Sequence, residues 1–76
     1  MDIKLSELSQ GQRAIIKSFT NNSIQLKLME MGCLPEEQIT ITQIAPLGGP
    51  ISITVSDYQL SLRIDEAEKI IVHLID

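Results

Sequence analysis

The stretch LMEMGCLPEEQITI, residues 28–41, gathers two thioethers, a thiol and three carboxylates: Met29, Met31, Cys33, Glu30, Glu36 and Glu37. Soft sulfur ligands suit copper or zinc, and carboxylates suit a harder cation. A zinc centre, however, asks for four ligands at regular spacing. This chain offers one cysteine, Cys33, and one histidine, His73, far apart in sequence. Free cysteine behaves as a small hydrophobe and methionine as a gap filler, so Met31 and Cys33 are expected to pack. His73, between Val72 and Leu74, is expected to be structural or at the surface.

Acid–base or nucleophilic chemistry fares no better. Asp65, Glu66 and Glu68 are explained by solvation and helix capping, since acids belong in a first helical turn. Cys33 and the serines have only His73 as a base to share, and no spacing ties it to any of them. No catalytic residue, metal ligand or cofactor is therefore expected, and Fe(II) or Zn(II) should bind only weakly and without fixed stoichiometry. The remaining candidate is the loop PLGGP, residues 46–50. It lacks the lysine and hydroxyl residue of a phosphate-binding loop, and a strand follows it rather than a helix. Its Leu47, held among Gly48, Gly49 and two prolines, reads instead as an apolar contact on a stiff tip. Leu26 and Met29 are candidates to extend that patch from a neighbouring helix.

The elements that must position these residues are short. LSELSQGQ reads as one helical turn followed by a bend at Gly11, and QRAIIKSF as a strand ended by Thr20, Asn21 and Asn22. In NNSIQLKLMEMG, Ile24, Leu28 and Met31 form one helical stripe, with Asn22 or Ser23 placed to cap the start and Gly32 to end it. The predicted helix spans about 22–31. From Gln38 the period changes to two: Ile39 and Ile41, then Ile51, Ile53 and Val55 beyond the Gly-Gly pair, make a hairpin. A turn at Ser56 and Asp57 leads to a strand with Leu60 and Leu62 inward. Asp65 with Glu68 has the form of a capping box for a helical turn near 65–69, and KIIVHLID closes with another strand. About five strands and one helix suggest a small, bent antiparallel β-barrel, mainly β, with the helix over one opening.

The chain has 76 residues, enough for a single domain, 1–76, with a core of Ile, Leu and Val, since it holds one Tyr, one Phe and no Trp. A lone cysteine implies a reducing compartment, and the amino terminus has no basic-then-apolar signal pattern. No apolar run approaches the roughly 18 residues of a membrane span. The expectation is a cytoplasmic protein without direct membrane insertion, monomeric or weakly self-associating. A formal charge of −4 with six scattered Lys and Arg, and few aromatic rings, argues against nucleic acid as a partner.

The succession LSELSQGQRAII, LKLMEMGCLP, ITITQIAPLGGPISITV, YQLSLR and EAEKIIV resembles the FeoA family, small partners of the bacterial ferrous-iron transporter FeoB, over nearly the whole chain. The resemblance implies an SH3-like β-barrel with a helical insertion and a non-catalytic role in Fe(II) uptake through contact with the cytoplasmic side of FeoB. Two positions depart from the family pattern: Glu36 stands where a glycine usually follows the proline, and Asp57 where a glycine commonly precedes the tyrosine. SH3-like barrels also occur as C-terminal domains of iron-dependent repressors, so a regulatory module of that kind is an alternative, and a nucleic-acid-binding small barrel a weaker one.

Overall fold

The computed structural model describes residues 2–75; Met1 and Asp76, the ends of the expected domain, lie outside the described residues. Six strands form one antiparallel sheet: β1 (Asp2–Lys4), β2 (Arg13–Phe19), β3 (Gln38–Ile44), β4 (Ile51–Val55), β5 (Tyr58–Leu62) and β6 (Ile70–Leu74), ordered β1-β6-β2-β3-β4-β5. Two helices, α1 (Asn22–Met31) and α2 (Ile64–Ala67), and a 3₁₀ turn at Leu5–Glu7 complete it. The expected five strands become six because β1 is a strand only by virtue of its partner, with Ile3 opposite Val72. The expected closure is also corrected. Among the described residues no ladder joins β5 to β1, so the SH3-like sheet is strongly bent and open.

Alternation builds the interior. Ala14 and Ile16 of β2, Ile39 and Ile41 of β3, Ile51, Ile53 and Val55 of β4, Leu62 of β5 and Ile70 and Val72 of β6 are all buried, while the intervening residues face out. Register shifts at Ile16/Ser18 and Ile41/Gln43 mark bulges that sharpen the bend. No aromatic ring lies fully in the core, and Phe19 packs at its margin.

Helix α1 starts on Asn21, not on Asn22 or Ser23: Asn21 Oδ1 accepts from the Ile24 N–H at 2.9 Å and from the Ser23 hydroxyl at 2.9 Å. Gly32 ends it with φ 113°, its N–H donating to the carbonyls of Leu28 and Met29. Leu28 is fully buried; Met31, expected to join it in the core, is half-buried at the core's edge with Ile24. The capping box of α2 sits two residues earlier than its acids suggest, at Arg63 and Glu66 in place of Asp65 and Glu68. Glu66, and not Glu68, reaches back, accepting the Arg63 N–H at 2.9 Å.

Candidate functional site

Between α1, the β3–β4 loop and the β5–α2 segment runs an open groove of about 930 Å³. Lys27 and Met31 line it from the helix, Gly48, Gly49 and Pro50 from the hairpin, and Ser61, Arg63, Ile64, Asp65 and Glu66 from the third side. The hairpin tip reaches the groove because two of its residues take left-handed conformations, Leu47 at φ 58° and Gly48 at φ 75°. Gly49 has no room for a side chain, since a Cβ there would lie 2.6 Å from the Ala45 Cβ. Pro46 accepts the Gly49 N–H, and Pro50 accepts that of Ala45, closing the loop.

The structure thus brings Gly48 and Gly49 into one groove with Lys27 and Met31. Leu47 projects from the tip with a relative exposure of 104%, and Leu26 stands at 65% on the helix; neither lines the groove. Met29 is half-buried, its sulfur 3.7 Å from the Gln25 amide nitrogen. Leu47 is unusual twice over, because neither burial nor backbone preference favours a large apolar side chain in a left-handed turn.

Electrostatics of the groove centre on Glu66, whose side chain is only 9% exposed. One oxygen takes the Arg63 N–H; the other meets Lys27 Nζ at 2.9 Å, tying α2 to α1. That backbone donor first, then the Lys27 hydrogen bond and charge, hold its carboxyl below the ordinary value against the cost of burial. Neither contact was foreseen in the sequence. Lys27 sits on the polar side of the helical stripe, and only the fold reveals that α2 packs there.

The sulfur and acid candidates are dispersed. Cys33 is fully buried, and burial together with the nearby Glu66 charge pushes its thiol up to about 11, so it stays protonated at neutral pH. Glu36 lies 3.8 Å from Lys17 Nζ, Glu37 accepts the Ser56 hydroxyl at 3.0 Å, and His73 Nδ1 lies 3.1 Å from Asp2 Oδ1. Among the described residues, no three of His, Cys, Asp and Glu gather to hold a metal ion. Helices there are too short and polar to cross a membrane.

A bent six-stranded antiparallel sheet with a helical insertion before β3 places the molecule among SH3-like small β domains. Residues 3–74 match the FeoA domain, and the chain belongs to the FeoA family. It is 38% identical over 74 residues to the Fe(2+) transport protein A/Fe(2+) transporter FeoB fusion protein of Porphyromonas gingivalis, covering 96% of this chain but only 9% of the length of that curated relative. A FeoA-like protein from Clostridium acetobutylicum superposes with TM-score 0.90 at 30% identity, covering 99% of this chain and 88% of that one. FeoA of Stenotrophomonas maltophilia, solved with zinc and described as a prokaryotic SH3 domain protein, gives 0.78 at 29% identity over 92% and 88%. A manganese-dependent transcriptional repressor reaches 0.88 at 14% identity, with 97% of this chain on 37% of that one, a likeness of fold alone.

Proposed function

We propose that this chain is a non-catalytic, cytoplasmic accessory protein of bacterial ferrous iron uptake, acting by contact with a FeoB-type transporter. Two facts support the reading. A family relative is joined to FeoB in one polypeptide, which places the two activities at high effective concentration. And Leu47, on a braced hairpin tip, is the most exposed of the large apolar side chains among the described residues, at a position where burial does not call for one. A stiff loop loses little freedom on docking, and a central apolar anchor commonly carries more than about 1 kcal/mol of binding energy. Gly48 and Gly49 shape the tip; Leu26 and Met29 extend the apolar surface on the helix side.

In this reading metal passes through the transporter and not through this protein, so Fe(II) and Zn(II) titrations give only weak binding without fixed stoichiometry, unchanged in Cys33→Ser. The decisive experiment is a pull-down of the transporter's cytoplasmic domain, with and without guanine nucleotide, by the parent and by Leu47→Asp. The variant should lose most of the binding while melting within a few degrees of the parent. Full binding by Leu47→Asp, or a strong salt dependence of the parent complex, points to a polar docking face instead. The regulatory-module alternative rests on the repressor-like fold, and a transporter gene beside this one speaks against it.

A further inference from the structure

The sheet ends on β5, and no strand pairs with its outer edge among the described residues. In the β4–β5 hairpin Val55 faces Tyr58, Ile53 faces Leu60 and Ile51 faces Leu62 across the Ser56–Asp57 turn. A two-residue turn closes on a hydrogen-bonded pair, and such pairs alternate along an antiparallel ladder. Tyr58, Leu60 and Leu62 therefore direct their N–H and C=O groups to β4, whereas Gln59 and Ser61 direct theirs outward. Arg63 continues the alternation, since its N–H donates to Glu66 of α2 rather than to β4. The outward backbone groups of Gln59 and Ser61 form no hydrogen bond with any loop or side chain among the described residues.

Edge strands normally carry a charge, a proline or a bulge that discourages pairing. YQLSL has none of these: its register with β4 is unbroken, and Tyr58, Gln59 and Ser61 are exposed. We infer that β5 is a pairing edge and that its occupant is a second copy of this chain, joined strand to strand about a twofold axis at Leu60. The charges flanking the strand select that occupant. Asp57 and Arg63 stand equally far from Leu60 on either side, so an antiparallel pair centred there sets each Asp57 opposite the second copy's Arg63. Both residues are exposed, and among the described residues neither forms a close ion pair within its own chain, although the Arg63 charge acts on Glu66 at longer range. On this register Gln59 and the second copy's Ser61 exchange their outward amides, Leu60 stands opposite Leu60, and Tyr58 stands opposite Leu62 of the second copy along the backbone. A foreign strand would have to reproduce this charge pattern; the chain already complements itself. The pairing does not use Leu47, although Ser61 and Arg63 line the same groove as Gly48 and Gly49, so Leu47→Asp should leave the dimer unchanged.

Sedimentation velocity of the full chain, from micromolar to millimolar concentration, is expected to show a concentration-dependent dimer that weakens as salt is raised. Asp57→Arg alone, or Arg63→Asp alone, puts like charges opposite each other and should weaken the dimer about tenfold, and the double exchange should restore it. Mixing Gln59→Cys protein with Ser61→Cys protein under mild oxidation should give a cross-linked heterodimer faster than either protein cross-links to itself. Unchanged melting temperatures would separate loss of pairing from loss of fold. A chain still monomeric at millimolar concentration overturns the inference, as does a dimer indifferent to charge exchange and cross-linking, which would use another face.

Discussion

Glu66 is the one charged or polar residue that is buried among the described residues. Its carboxylate is nearly buried, capped by one backbone donor and paired with Lys27. Because its pKa is lowered on folding from the ordinary 4.5, the stability it contributes is fully present above that value and is lost as pH falls through the folded-state value. Thermal melts should therefore decline below about pH 4.5 in the parent and decline less in Glu66→Gln, which should also lose about 1–2 kcal/mol at neutral pH. The opposite strain sits at Glu36, held at φ 74° with its N–H donating to the Ile16 carbonyl at 2.7 Å. Here the departure from the family glycine has a measurable cost. Glu36→Gly should gain up to about 1 kcal/mol in denaturant melts, since its ion pair with Lys17 is long and exposed and contributes little. At the second departure the strain falls on Ser56, at φ 54°, and not on Asp57. Gly32 is constrained twice, by its left-handed φ and by Tyr58, whose hydroxyl would collide with any Cβ. Gly32→Ala should cost about 1–3 kcal/mol, and Tyr58→Ala should recover the collision part but not the backbone part, a non-additivity that a double-mutant cycle measures.

Elements were legible where a local period defined them. The alternation of Ile39 and Ile41 with Ile51, Ile53 and Val55 specifies β3 and β4 without outside help, and Ile24, Leu28 and Met31 before Gly32 specify α1. What escaped was set by distant partners or by ambiguous chemistry. β1 contains a single apolar residue and exists because β6 offers it an edge. The α2 cap was misplaced because Arg63–Glu66 and Asp65–Glu68 share the same spacing, and only burial distinguishes them. The groove is absent from any local pattern, since it forms from three segments that meet only after folding. The helical stripe itself was read too broadly: Leu28 is fully buried and Met31 is not. Leu28→Ala should accordingly cost about 3–5 kcal/mol, enough to unfold much of so small a domain, while Met31→Ala costs about 2 kcal/mol or less by chemical denaturation.

At the scale of the molecule, one end of the sheet is guarded and the other is not. β1 is short, carries Asp2 and Lys4, and covers β6, whose sequence IIVHL has the composition of an aggregating segment. Removing residues 1–4 should bare that edge, and light scattering at raised temperature should show aggregation that the parent does not. The proposed twofold pair would do for β5 what β1 does for β6.

The pairing of β1 with β6 also fixes how the domain would answer a pull. Asp2 lies opposite His73, so the first and last described strands begin and end at the same side of the sheet. Traction between the two ends would load the ladder across the strands, one hydrogen bond after another, as a zipper opens, rather than along them all at once. A domain wired in this way yields early when both ends are tethered and drawn apart. Tethered at one end only, as in a fusion to a larger partner, it carries no load and keeps its hairpin tip and its outer edge available.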